Sequence, residues 1–222
     1  MRERRLIVVL ITAYLCVTGC AAGPSHKGVF HRVGKGETLW RIANAYGVGL
    51  QDLAETNNIK DPTQIKTGQR LFIPGKRSLR KVDKSLPEPP PKNRKVVVEK
   101  GRFAWPVKGV VTSPYGMRND VMHHGIDIAA PRNTPVRASE SGEVVYANDG
   151  MRGYGNVVIL KHDKDFYTVY AHNEKNLVKA GEKVKKGSAI ALVGDTGNAE
   201  VYHVHFEVRQ GKKTRNPLFF LP

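Results

Sequence analysis

Two short runs hold residue types that could do chemistry together: His203-Val204-His205-Phe206-Glu207-Val208, and His123-His124-Gly125-Ile126-Asp127 upstream. In a β-strand successive side chains point to opposite faces, so His203, His205 and Glu207 share one face while Val204, Phe206 and Val208 share the other. One face reads as core and the other as a site, because an apolar strand does not bury two imidazoles without partners. Neutral imidazole and carboxylate are ligands of catalytic zinc, and three such ligands leave a fourth position for water or substrate. Asp127, one histidine before it and one of the later pair make that set. The same two-histidine, one-carboxylate set also suits Fe(II) in an oxygenase.

These side chains need strands to hold them. The spacing from His123 to Asp127 would also fit one face of a helix, but Gly125 and the β-branched Ile126 and Ile128 favour a loop running into a strand. Strand-like runs recur at 142–147, 156–161, 166–172, 189–193 and 204–209, separated by turn sequences such as Asn148-Asp149-Gly150, Lys186-Gly187 and Asp195-Thr196-Gly197. No helical periodicity is sustained there, so residues 101–222 are expected to form an all-β antiparallel sandwich-like domain. Glu207, next to Arg209, is expected in a surface ion pair, with support of the metal ligands as the alternative. Arg118 is open to either a structural or a site role.

Residues 30–74 read as a second, smaller α+β unit in the order βααβ. Leu39, Ile42, Ala43 and Tyr46 fall on one helical face that Gly47 can end, and Leu50, Leu53 and Ala54 begin another. Strands are expected at 30–33 and 70–73. Between the two units, residues 75–100 are rich in lysine, arginine and proline and poor in apolar residues. They are expected to be a flexible basic linker, with a reach of about 80 Å at roughly 3.1 Å per residue. His26 and His31 lack metal-like spacing and are expected to face solvent.

The chain has 222 residues, 40% of them hydrophobic, and a formal charge of +16, which favours anionic partners such as nucleic acid, acidic lipid or wall polymers. Residues 1–19 have a basic start and an apolar stretch too short to span a bilayer, the layout of a secretory signal. Export argues against nucleic acid as the partner. It also argues against the oxygenase.

The run Val17-Thr18-Gly19-Cys20 resembles a bacterial lipobox, which implies cleavage before Cys20, lipidation of that cysteine, and a tether over 20–29. The mature chain would then carry no disulfide. Val33-Gly34-Lys35-Gly36-Glu37-Thr38-Leu39-Trp40, Asn57-Asn58 and Gly68-Gln69-Arg70-Leu71-Phe72-Ile73-Pro74 resemble a LysM domain, implying binding of the glycan strands of peptidoglycan. His123-x-x-x-Asp127 and His203-x-His205, with Ser113–Arg118, Gly125–Ala129, Tyr170-Ala171-His172 and Gly194-Asp195-Thr196-Gly197, resemble the lysostaphin/LytM-type zinc endopeptidases. That resemblance implies Zn²⁺ held by His123, Asp127 and His205, proton transfer by His172 and His203, and hydrolysis of peptide crosslinks in cell-wall remodelling or cell division. The order of units, with Arg152-Gly153-Tyr154-Gly155-Asn156 and the ending Asn216–Pro222, resembles the NlpD-type lipoproteins. Many of those lack zinc ligands and activate separate peptidoglycan amidases, which makes an amidase a candidate partner and activation the alternative function. Ala21 after Cys20 resembles outer-membrane sorting, implying a lipid anchor facing the periplasm in a two-membraned organism.

Overall fold

The computed structural model describes residues 28–118 and 121–222; the signal, Cys20 and tether residues up to 27 lie outside the described residues, while Gly28 and Val29, expected in the tether, belong to the first strand. The first unit pairs β1 (Gly28–Arg32) antiparallel with β2 (Arg70–Pro74), and between them run α1 (Leu39–Tyr46) and α2 (Leu50–Thr56). The Thr38 side chain caps α1 by accepting from the Arg41 N–H at 3.2 Å, and Gly47 ends it in the left-handed conformation. The predicted faces meet: Leu39, Ile42, Tyr46 and Leu53 pack with Leu71 and Ile73. His31 does not face solvent as expected. It shares the inner side of β1 with Val29, is only 7% exposed, and reaches Glu37 at 2.7 Å and the Tyr46 hydroxyl at 3.1 Å.

The second unit is a ten-stranded antiparallel sheet. Its main path runs β11 (Lys183–Val184), β8 (Gly142–Asn148), β9 (Asn156–Lys161), β10 (Phe166–Asn176), β13 (His203–Gln210), β6 (Ile126–Ala129) and β3 (Val110–Ser113). Strand β12 (Ala189–Val193) joins β10 to β7 (Pro135–Arg137), β14 (Lys213–Arg215) pairs with β13, and β4 (Gly116–Arg118) with β5 (Val121–His123) forms a separate hairpin. Val204, Phe206 and Val208 of β13 enter the core with Ile126, Ile128 and Tyr170, as strand alternation requires. The short strands β3, β4, β5, β7, β11 and β14 escaped the sequence reading because two to four residues carry too little periodicity.

Residues 75–100 differ from the expected free spacer. They contain only a 3₁₀ turn at Pro91–Arg94, yet they lie along the first unit. Val82, 5% exposed, joins that unit's core, and the Arg80 N–H donates to the Tyr46 hydroxyl at 3.1 Å. The Gln51 side chain holds both backbone groups of Val97, at 2.8 and 3.1 Å. Average composition hid these isolated apolar and polar anchors. The two units also touch directly. Glu55 of α2, 3% exposed, accepts from Arg215 Nε at 2.8 Å and Nη2 at 2.6 Å, and the Asn216 side chain donates to the Glu55 carbonyl at 2.9 Å. Gly116 lies so close that a Cβ there would meet the Thr56 carbonyl oxygen at 2.6 Å. Among the described residues, no helix is long and apolar enough to cross a membrane.

Candidate metal centre

Pairing of β13 with β6 sets His205 directly opposite Asp127, and pairing of β13 with β10 sets Ala171 on its other side. His123 ends β5, and the turn back into β6 passes so near β13 that a Cβ on Gly125 would meet the Phe206 carbonyl oxygen at 2.4 Å. Only glycine lets the two ligand-bearing segments approach this closely. His172 sits where the β10 register breaks between Tyr170 and Asn173, with φ of 62°, a left-handed value rare for a side-chain-bearing residue. That break turns its ring into the cleft beside His203, with ring centroids 4.8 Å apart.

The structure thus brings all five expected residues together. His123 Nε2 lies 3.1 Å from Asp127 Oδ1 and 3.1 Å from His205 Nδ1, and the last two atoms are 2.8 Å apart. Three ligands at about 2.0 Å in tetrahedral geometry would be spaced at about 3.3 Å. Hydrogen bonding decides what these atoms can do. A carbonyl oxygen only accepts, so His123 Nδ1 carries the proton it donates to Pro114 at 2.8 Å, leaving Nε2 a lone pair. His205 Nε2 donates to the Glu207 carboxylate at 3.1 Å, leaving Nδ1 to face Asp127. Two nitrogen lone pairs and a carboxylate oxygen therefore converge, an acceptor cluster that calls for a cation, and the residues fit a zinc-type ion.

The electrostatics express the same demand through protons. Burial disfavours charge on Asp127, but the His123 and His205 rings beside it outweigh burial and hold the carboxyl well below the usual range. Burial also opposes charge on His205, yet Asp127 and Glu207 on its two sides push it up to about 9. A proton there occupies the place between carboxylates that a metal would take. His172 is pushed down to about 4, by burial first and then by the neighbouring His205, so it is neutral at ordinary pH.

Both remaining imidazoles have their tautomer set by a backbone carbonyl. His172 Nδ1 donates to Thr196 and His203 Nδ1 to Val201, each at 2.8 Å, so each presents an unprotonated Nε2. The Gly194–Gly197 motif explains one of these: Thr196 Oγ1 donates to the Asn173 carbonyl at 2.8 Å and fixes the loop whose own carbonyl orients His172. The cleft in front measures about 630 Å³ and is rimmed by Arg118, Val121, Met122, Glu200 and Val201. His124 also lines it but turns its Nδ1 to Thr214 at 3.2 Å, away from the metal-type cluster. Arg118 reaches Ser113 Oγ at 2.5 Å and Asp127 Oδ2 at 3.4 Å.

Glu207 is not in a surface ion pair. It is fully buried, and besides His205 it receives the Tyr154 hydroxyl at 2.8 Å and Arg209 Nε at 2.6 Å. Burial opposes its charge, but these donors outweigh burial and keep it ionised. Its alternation with His203 and His205 was the available signal. Tyr154, fifty-three positions earlier in the chain, and the Pro114 carbonyl had none.

Comparison with known proteins accords with this geometry. Residues 121–217 match peptidase family M23 and residues 31–74 match the LysM domain. The lipoprotein YgeR of Escherichia coli strain K12 is 36% identical over 97% of this chain and 92% of its own length. The NlpD/LppB homolog of Pseudomonas aeruginosa is 33% identical over 86% of this chain and 76% of its own. This chain belongs to the NlpD-type lipoprotein family. Another relative of this NlpD-type protein, the murein hydrolase activator NlpD of Escherichia coli strain K12, is 29% identical over 89% of this chain and 69% of its own. A crystal structure of a zinc-containing peptidase from Vibrio cholerae superposes with a TM-score of 0.50 at 31% identity, over 53% of this chain and 39% of that one. The NlpD-type chain is therefore a peptidoglycan-related protein built from a LysM domain and an antiparallel M23 domain with a candidate His-Asp-His metal site.

Proposed function

We propose that this protein is a metal-dependent endopeptidase that hydrolyses peptide crosslinks of peptidoglycan. The observation that carries the reading is the convergence of His123 Nε2, Asp127 Oδ1 and His205 Nδ1, each with its other hydrogen bonds already assigned. A zinc ion held by these three would supply a Lewis acid for the scissile carbonyl and a water of lowered pKa. The chain's own residues do the rest. His172 and His203 present Nε2 lone pairs to the cleft, and the ring that takes a proton from the attacking water becomes an imidazolium that returns the same proton to the departing amine as the C–N bond breaks. Glu207 keeps the His205 ring turned so that Nδ1, not Nε2, faces the site.

The LysM unit holds the protein on glycan strands, and lipidation at Cys20 ties it to a membrane, facing the periplasm where there are two membranes. A second reading, activation of a peptidoglycan amidase, is favoured by the relative named as a murein hydrolase activator. A chain that only activates has no chemical use for three ligands and two oriented imidazoles, which puts the endopeptidase first. Digestion of purified sacculi with and without chelator, followed by muropeptide separation, tests it. Chelator-sensitive release of crosslink-derived peptides by the protein alone is expected; no release alone, with stimulation of an added amidase that survives chelation, would establish the second reading instead.

A further inference from the structure

Strand β2 ends at Pro74, and the chain turns at Gly75, whose φ is 72°. The next six residues, Lys76-Arg77-Ser78-Leu79-Arg80-Lys81, carry four cations and no acid. They are held to the folded surface at both ends, by β2 before them and by Val82, which enters the core of the first unit, after them. The Arg80 N–H adds a hydrogen bond to the Tyr46 hydroxyl at 3.1 Å. Acids that follow in the chain are engaged elsewhere: Asp83 accepts from the Ser85 N–H at 2.9 Å, and Glu88 pairs with Arg94. Among the described residues, no carboxylate forms an ion pair with any of the four cations. In their midst Leu79 is 68% exposed.

The place of this loop in the fold shows what it faces. Gly28 at the start of β1 pairs with Pro74 at the end of β2, so the chain arriving from Cys20 enters the fold beside Gly75. Cys20 and Gly28 are eight positions apart, a span of at most about 28 Å when fully extended. A tether this short keeps the loop within touching distance of any bilayer that holds the cysteine. Cations around an exposed leucine suit such a surface, because the cations meet phosphate headgroups while the leucine enters the boundary of the acyl chains. A dissolved polyanion would use the cations alone and leave Leu79 in water.

We propose that residues 76–81 form a second membrane contact, which binds a bilayer surface rich in anionic phospholipid. Its placement beside the tether rests on lipidation at Cys20; the contact itself is tested without that cysteine. Four cations and one leucine make a weak, salt-sensitive contact, so the acyl anchor still decides whether the protein fractionates with membranes. Sedimentation with vesicles tests it, using residues 21–222, which keep both units whole and lack the anchor cysteine. Vesicles of phosphatidylcholine alone are compared with vesicles of equal parts phosphatidylcholine and phosphatidylglycerol, at low and high salt. Binding to the anionic vesicles only, weakened by salt, is expected. Combined Arg77→Gln, Arg80→Gln and Lys81→Gln should lower the affinity roughly tenfold or more, and glutamine at position 80 keeps the N–H that holds the loop. Leu79→Ser should lower it roughly threefold or more. Combined Lys179→Gln, Lys183→Gln and Lys185→Gln, at exposed lysines of the second unit, should change it by less than about twofold. No binding, or equal binding to neutral vesicles, would overturn the proposal. So would equal losses in the two triple variants, which would make net charge the cause. Loss in the loop variant with Leu79→Ser unchanged would also overturn it, in favour of a site for a dissolved polyanion. None of these outcomes bears on the lipid anchor, which fractionation of Cys20→Ala tests by itself.

Discussion

His205 is gripped at both ring nitrogens, by Asp127 on one side and Glu207 on the other, so its ring cannot turn without breaking a charge-assisted hydrogen bond. His205→Ala or Asp127→Ala should abolish stoichiometric zinc and activity together, whereas His203→Ala should keep zinc while activity falls about 10²–10⁴-fold. Zinc per chain and muropeptide release decide this; loss of metal in His203→Ala would mean the ligand set is wrong. Glu207→Gln keeps the shape but weakens the pull on Nε2–H, and zinc affinity should drop about 10–100-fold, as read by chelator competition. The metal-free protein has its own pH signature. His205 is pushed up to about 9 when folded, against about 6.5 when unfolded. Its contribution to stability is full below about pH 6.5 and is lost as pH rises through about 9. Chelator-treated protein should therefore melt at a lower temperature at pH 10 than at pH 6.5 by more than a His205→Gln variant does, and equal shifts would show that His205 is not held this way.

At the scale of elements, the site depends on departures from regular strand geometry. The break in β10 and the positive φ of His172 aim its ring, and the close pass of Gly125 over β13 brings His123 to His205. Gly125→Ala forces a Cβ into a backbone oxygen that cannot swing away, so it should cost about 2–4 kcal/mol of stability and weaken zinc binding, measured by urea unfolding and by metal content. A variant of full stability with full zinc would show that the approach is not required. Period-two alternation made β13 and its two faces legible, and the helical spacing of Leu39, Ile42, Ala43 and Tyr46 with Gly47 after them made α1 legible. Where a strand bulges, alternation breaks by definition. The position of His172 relative to His203 could then come only from the observed register.

Across the whole molecule, Glu55 and Arg215 make a buried ion pair between domains, with Asn216 adding a hydrogen bond to the same helix. Removing one partner of a buried pair strands the other, so Glu55→Ala should cost about 3–5 kcal/mol at the domain junction. Calorimetry should show one melting transition in wild type and two in the variant. Two transitions already present in wild type would mean that the domains are independent, as a long flexible linker would allow. The proposed lipid attachment to a membrane would lie at the N-terminus. Cys20→Ala should block lipid modification and release the protein to the soluble fraction, and unchanged membrane fractionation would count against the lipid anchor.

The sequence alone determined the order of units, the βααβ pattern, the all-β second unit and the residue types gathered at the site. These follow from local periodicity and short motifs, which neighbouring residues encode by themselves. Tertiary structure alone decided that Glu207 is buried behind His205, that His31 is internal, and that residues 75–100 lie against the LysM unit instead of hanging free. It also decided that Glu55 meets Arg215 across a hundred and sixty positions of chain. Each of these depends on partners far apart in sequence, and burial and hydrogen-bond satisfaction are properties of the assembled surroundings, not of the residue or its neighbours in the chain.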